Sequence, residues 1–141
     1  MGNLEKRIWT EELSIGNADI DIDHKKLIDI YNDLVEFVRF KKGHEEFAKI
    51  LSKMTDYSLV HFKREEQYMQ KMSYPKLAEH EKSHKNYVFK VAIYNVDLLG
   101  INPPDPNDII KFLGKWWITH ILKSDKDYED YRNEIQADVT Y

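Results

Sequence analysis

The 141-residue sequence contains no cysteine, which excludes both disulfide bonds and thiolate metal ligands. A transition-metal site would therefore have to use imidazole and carboxylate groups. Polar residues interrupt every apolar run before the roughly 20 residues that span a bilayer, and no signal-peptide core follows the N-terminus. Basic and acidic residues number 21 and 25, and neither sign forms a long block. We expect a soluble, cytoplasmic protein that binds neither membranes nor nucleic acid.

Apolar residues recur every three or four positions in four segments, as in helices that bury one face. Breakers separate the segments, and they predict Pro75 near the first position of the third helix and Asp105 as the N-cap of the fourth, before Pro106. Short connections favour antiparallel neighbours. The prediction is an all-α, up-down-up-down four-helix bundle in a single domain, residues 1–141. It has an extended N-terminal arm (1–18), a bundle (about 19–131) and a polar tail (about 132–141).

Polar residues interrupt the apolar stripes at helical spacing. The residues in phase with the stripes are His24, His61, Glu65, His80, His84 and His120. Burying an ionised Glu65 among them would cost roughly several kcal/mol of free energy unless a cation compensated its charge. No lysine or arginine falls on these stripes. A metal site explains the whole pattern. The alternative is that each histidine finds its own hydrogen bond in the core and Glu65 stays protonated.

Five imidazoles are more than one ion normally takes, so we predict two ions. Asp125 is the candidate for a second bridging carboxylate, provided that the helix tightens or ends there. It lies five residues after His120, about 140° out of phase on an ideal helix. The remaining histidine, His44, is predicted on the surface, and Glu66 is predicted on a solvated face beside Glu65.

Several spaced blocks of this sequence resemble the hemerythrins, in particular the single-domain bacterial hemerythrins. The blocks are Ile15-Gly16 with Asp21-Ile22-Asp23-His24-Lys25-Lys26-Leu27, then His61-Phe62-Lys63-Arg64-Glu65-Glu66-Gln67-Tyr68-Met69, then Tyr74-Pro75 with His80-Glu81-Lys82-Ser83-His84, and finally Trp116-Trp117-Ile118-Thr119-His120-Ile121 with Asp125 and Tyr128. Every ligand position of the family is filled. Asp23 stands where a glutamine is usual.

The resemblance implies two non-haem irons bridged by a solvent-derived oxo or hydroxo group. It assigns His80, His84 and His120 to one iron, His24 and His61 to the other, and Glu65 and Asp125 to both as bridges. The two-histidine iron would keep an open position. The ligand implied for that position is O2, with azide, nitric oxide and peroxide as alternatives.

Four apolar side chains flank these positions closely enough to form the wall of a ligand pocket: Phe62, Trp116, Trp117 and Ile121. Ordinary core packing would explain them equally well. Trp117 departs from the family pattern, which commonly has leucine there. We predict that the larger indole narrows the pocket and restricts access or slows oxidation.

No catalytic base, nucleophile or polar substrate pocket stands out, which favours reversible O2 binding for storage, delivery or sensing. The alternative is a di-iron enzyme that reduces O2, peroxide or nitric oxide. Two carboxylates against five imidazoles make the site poor in the anionic donors that support high-valent iron. An iron-storage or structural bundle would leave the open position without a use.

Overall fold

The computed structural model describes residues 6–39 and 43–139, except for the side chains of residues 44 and 136–139. After a 3-10 turn at Glu11–Leu13, the helices are α1 (Ala18–Arg39), α2 (His44–Lys71), α3 (Leu77–Leu98), α4 (Pro106–Thr119), a π-helical segment (His120–Asp125) and α5 (Lys126–Val139). The last three elements follow one another without a break. They act together as the fourth helix of the bundle.

The helices pack in the predicted antiparallel four-helix arrangement, with α1 against α2 and α4, and α2 against α3. Apolar side chains from all of them fill the centre, and the most deeply buried include Leu34, Leu51, Met54, Val91, Ile109 and Leu113. The predicted fold class is therefore confirmed. Among the described helices, none is long and apolar enough to cross a membrane.

The arm that precedes α1 is fixed to that helix by polar contacts. The backbone of Arg7 exchanges two hydrogen bonds with the Asn32 side chain, at 2.8 and 2.9 Å. Asp21 accepts from the Ile15 amide at 3.0 Å and from the hydroxyl of Ser14. Leu13 and Ile15 are buried, so this part of the arm covers the core. Residues 1–5 lie outside the described part of the chain.

Two of the predicted helix boundaries had different outcomes. The Asp105 side chain accepts a hydrogen bond from the Asn107 amide at 2.9 Å, and Pro106 is the first residue of α4, as predicted. Pro75 is near the start of α3, as predicted, but it is not a helical residue, because α3 begins two residues later at Leu77. Pro75 instead lies in the turn between α2 and α3.

The end of α2 explains this difference at Pro75. Ser73 adopts a left-handed conformation with φ of 52°, and its amide bonds to the carbonyl of Gln70 at 3.1 Å. The Tyr74 amide reaches back to the carbonyl of Met69 at 3.0 Å, which completes a Schellman cap. This cap reverses the chain before Pro75 and leaves that residue in a turn.

The fourth helix widens between His120 and Asp125. The Lys126 amide donates to the carbonyl of Ile121, five residues earlier, which is the π-helical pattern. The sequence analysis expected the helix to tighten or end at Asp125, and that expectation was wrong. The helix then continues to Val139, so the residues up to 139 of the predicted tail are helical.

Gly114 allows α4 to lie close to α1. A Cβ atom at this position would come within 2.8 Å of the Tyr31 hydroxyl and 3.2 Å of its ring carbon Cζ. We expect Gly114→Ala to destabilise the fold, because an overpacking penalty of about 1–3 kcal/mol exceeds the gain of about 1 kcal/mol that alanine brings to a helix. Urea unfolding at matched metal content measures the change.

The Tyr31→Phe background is the control for Gly114→Ala, since it removes the atom that the new Cβ meets first. The alanine substitution should then be less destabilising, or stabilising. Equal effects in the two backgrounds would contradict the proposed steric cause.

Candidate metal centre

The structure brings together the seven residues that sequence analysis selected as ligands. His24 comes from α1, His61 and Glu65 from α2, and His80 and His84 from α3, while the π-helical segment supplies His120 and Asp125. All seven are buried, and Glu65 and Asp125 are 0% exposed. The i to i+4 spacing on α2 and α3 turns both members of each pair toward the bundle centre.

The widened turn of the fourth helix brings Asp125 to the same side as His120. Their facing atoms, Asp125 Oδ1 and His120 Nε2, are 3.1 Å apart. On a regular α-helix these residues would point in different directions. A π-helical insertion is a common device for placing a side chain at a functional site, and it serves that purpose here.

The ligand atoms form two groups in which all atoms lie within 4.8 Å of one another. The three-histidine group contains His80, His84, His120 and Glu65. The two-histidine group contains His24, His61, Glu65 and Asp125. Glu65 belongs to both groups, so the two lie side by side.

Both carboxylates lie between the two groups. Asp125 Oδ2 is 3.0 Å from His24 Nε2, while its Oδ1 is 3.1 Å from His80 Nε2. Glu65 Oε1 is 2.5 Å from His61 Nε2, and its Oε2 is 3.7 Å from His80 Nε2. Each carboxylate thus turns one oxygen toward each group, which is the orientation of a bridging ligand.

Several of these atoms are buried and close together, yet form no hydrogen bond within the described part of the chain. They are both ring nitrogens of His24, Nε2 of His61 and of His80, and all four carboxylate oxygens of Glu65 and Asp125. Buried polar groups without partners are strongly disfavoured. Cations at the centre of each group would satisfy all of these atoms except the second ring nitrogen of His24, and nitrogen and oxygen donors of this kind suit iron, manganese or zinc.

The tautomer of His61 supports the presence of a cation. Its Nδ1 donates to Asp23 Oδ2 at 2.9 Å, so in the neutral ring Nε2 carries a lone pair. That lone pair faces the Glu65 oxygen, another acceptor, at 2.5 Å. Burial lowers the pKa of His61, but Glu65 and Asp23 outweigh it and raise the pKa to about 10. The site thus attracts positive charge at this point, as a proton or as a metal ion.

His84 is also held in the tautomer that binds metal. Its Nδ1 lies 2.7 Å from Glu66 Oε2, which leaves the Nε2 lone pair facing His120 Nε2 at 3.1 Å. Burial, together with His120 and His80, lowers the pKa of His84 to about 2, so the ring stays neutral. The sequence analysis placed Glu66 on a solvated face, and this was wrong: Glu66 is half-buried and holds a candidate ligand.

Sequence analysis gave no role to Asp23, which is 1% exposed and contacts His61. The apolar periodicity carries no signal for such residues, because they lie beside the stripe. They contact a histidine at the ring nitrogen that faces away from the site. A general expectation could have found them: metal-binding histidines donate their second N–H to a carboxylate or carbonyl. The side chain of His44, predicted on the surface, lies outside the described part.

Aromatic rings surround the imidazoles. The Phe62 ring stacks on His84, with 3.8 Å between centroids and 10° between planes, and it also lies near the Trp117 ring, at 5.5 Å and 20°. Trp116 stacks on His120 at 4.3 Å and 12°. Phe62 and Trp116 therefore pack mainly against the three-histidine group.

Trp117 and Ile121 lie on the other side, where they line a small, partly closed cavity of about 10 Å³ beside His24. This volume is at the lower limit for a single water molecule. Trp116 lines a different and larger cavity of about 390 Å³ beside His120. The four predicted wall residues thus divide between the two groups, and Trp117 and Ile121 are the pair at the two-histidine group.

A chain of buried hydrogen bonds fixes the indole of Trp117. Its Nε1 donates to the Tyr87 hydroxyl at 3.0 Å, that hydroxyl lies 3.4 Å from Ser58 Oγ, and Ser58 Oγ donates to the Met54 carbonyl at 2.7 Å. Burial raises the pKa of Tyr87 to about 12, so the phenol stays protonated and can donate to Ser58 Oγ. The apolar periodicity gave no signal for this contact, because a hydroxyl at a core position does not change the period.

Comparisons with known proteins point to one family. The sequence model described as "Hemerythrin HHE cation binding domain" matches residues 16–131. A protein of Clostridium acetobutylicum named bacteriohemerythrin is 27% identical over 127 residues, which are 87% of this chain and 98% of that protein. A protein of the same name from Pseudomonas aeruginosa is 30% identical over 124 residues, 87% and 79% of the two chains. A crystal structure of wild-type hemerythrin superposes with a TM-score of 0.80 at 30% identity and covers 88% of this chain and 95% of that one.

The contact between Trp117 and Tyr87 gives a stability prediction. Tyr87→Phe should destabilise the protein by about 1–3 kcal/mol in urea unfolding, because the buried indole N–H loses its acceptor. Tyr94→Phe is the matched control, since Tyr94 is half-buried and its hydroxyl makes no hydrogen bond to the described residues. If the two variants lost the same stability, the Tyr87 hydroxyl would have no special role.

Proposed function

The chain belongs to the hemerythrin family, and on this basis we propose that it binds O2 reversibly at a non-haem di-iron centre, for oxygen storage, delivery or sensing. The observation that carries the proposal is the pair of buried donor groups that share Glu65 and leave most of their ligand atoms, including all four carboxylate oxygens, without hydrogen bonds. Two cations are the simplest way to satisfy both groups.

In this proposal His80, His84 and His120 hold one iron, and His24 and His61 hold the other. Glu65 and Asp125 would bridge the two ions, together with an oxo or hydroxo group from solvent. Support comes from the carboxylates, because each turns one oxygen to a histidine of either group at 2.5 to 3.7 Å.

The two irons would differ in their number of protein ligands. With both bridges counted, the three-histidine iron has five and the two-histidine iron has four. The open position would therefore belong to the two-histidine iron. When bound, the two ferrous ions together supply the two electrons that O2 takes up on binding and return them on its release.

The residues of this chain would protect that chemistry from water. Trp117 is 4% exposed and Ile121 is fully buried, so the wall beside His24 excludes solvent and free protons. Neutral imidazoles dominate the donor set, which favours binding of O2 over its activation by high-valent iron.

Anaerobic reduction followed by exposure to air tests this proposal, with the visible spectrum and the metal content measured together. We expect two irons per chain and a coloured form that disappears under vacuum and returns with O2. Zinc alone in the purified protein would contradict the iron centre. Rapid bleaching with release of peroxide, or turnover of nitric oxide, would favour the enzyme instead.

Another test of the proposed function concerns Trp117, whose side chain fills the space beside His24. Trp117→Leu should enlarge the cavity and so accelerate both azide binding and autoxidation, measured by stopped-flow and by the decay of the oxygenated spectrum. Trp116→Leu is the matched control, because Trp116 lines the cavity on the far side at His120. Unchanged rates in Trp117→Leu would refute the gating role.

A further inference from the structure

Asp23 is buried behind the two-histidine group and contacts one of its histidines. We propose that Asp23 is a positioning residue for His61, and that its charge, balanced by Arg64, sets the preference of this site for ferric over ferrous iron. The inference rests on the proposed iron centre and deepens it. It assigns a function to the position at which this sequence departs from the glutamine usual in the family.

The Asp23 carboxylate is bound by three side chains. Its Oδ2 accepts the Nδ1 proton of His61 at 2.9 Å. Its Oδ1 accepts from the Tyr57 hydroxyl at 2.9 Å and from Arg64 Nη1 at 2.5 Å. His61 is therefore the donor to Oδ2, while Tyr57 and Arg64 both donate to Oδ1.

The Arg64 guanidinium is in a position to regulate this carboxylate without contacting the histidine. Its side chain is 50% exposed, while that of Asp23 is 2% exposed. A half-exposed guanidinium compensates a buried carboxylate only in part, because solvent screens its charge. The negative charge of Asp23 is therefore still felt at His61.

The effect of that charge on iron follows from the direction of the hydrogen bond. A carboxylate that accepts the Nδ1 proton raises the basicity of the imidazole, which makes Nε2 a stronger donor to a metal. A stronger donor stabilises the more highly charged ferric ion more than the ferrous ion. A glutamine or asparagine could accept the same hydrogen bond and hold the ring, but it would add no charge.

The other member of this group has no such support. Nδ1 of His24 is buried and forms no hydrogen bond with the described residues. In the three-histidine group, His84 Nδ1 has the carboxylate of Glu66 at 2.7 Å, while the nearest partner of His120 Nδ1 is the neutral hydroxyl of Ser83, at 3.5 Å. In the two-histidine group, the Asp23 carboxylate is therefore the one charge, among the described residues, that acts on the ferric preference of the iron through a histidine ligand.

The test is the midpoint potential of the iron centre, measured by spectroelectrochemistry in the purified iron protein. Asp23→Asn keeps a hydrogen-bond acceptor but removes the charge, so the preference for ferric iron should fall by on the order of tenfold, and the potential should rise by about 59 mV per electron. Arg64→Gln exposes the full carboxylate charge to His61 and should lower the potential. Tyr57→Phe should lower it less, because it removes only a neutral donor.

Two surface variants control for the change in net charge. Asp29→Asn removes an exposed carboxylate from α1, and Lys63→Gln removes an exposed cation next to Arg64 on α2. Neither side chain contacts the centre, so both potentials should stay near that of the unmodified protein.

The opposite signs expected for Asp23→Asn and Arg64→Gln separate this proposal from a merely structural role. Shifts in the same direction, or no shift in either variant, would overturn it even if iron content and O2 binding were normal. If Asp23→Asn failed to fold, Arg64→Gln and Tyr57→Phe would still decide the matter. Absence of iron from the unmodified protein would instead refute the proposed function itself.

Discussion

The burial of two carboxylates among five imidazoles is the constraint on which the rest of this structure depends. Glu65 and Asp125 have no access to solvent, and their oxygens face histidine nitrogens at contact distance without forming hydrogen bonds. Such an arrangement is stable only if cations compensate the charge. The long helices, which carry the ligands at i and i+4, and the aromatic rings stacked on the imidazoles are the means by which the bundle holds this polar centre inside an apolar core.

The fourth helix shows how local structure yields to this constraint. A regular α-helix would have kept His120 in the centre and turned Asp125 away from it. The π-helical segment keeps both residues on the same side, and the fourth helix resumes as α5 without a break. His120 and Asp125 are five residues apart, and the π-helical turn is what places both side chains at the site.

Much of this could be predicted from the sequence, because apolar periodicity fixes which face of each helix is buried. The four helices and the phases of His24, His61 and Glu65 all follow from that periodicity. It failed where a hydrogen bond decided the outcome. The Schellman cap that displaces Pro75 depends on the conformation of Ser73, and the contact of Glu66 with His84 depends on how α2 and α3 are rotated against each other. The prediction of Asp125 as a ligand needed the family resemblance as well, because its spacing from His120 is out of phase on a regular helix.

The two halves of the centre differ more in their surroundings than in their ligands. Around the three-histidine group, the rings of Phe62 and Trp116 cover the imidazoles directly. The cavity beside the two-histidine group is much smaller than the one beside His120, and the two positions that sequence analysis singled out as departures from the family resemblance lie next to this group: Trp117 beside His24, and Asp23 behind His61. In our proposal Trp117 limits what can reach an iron there, and Asp23 affects how readily that iron is oxidised. Because autoxidation depends on both access and potential, the two proposed roles would bear on the same property of one iron.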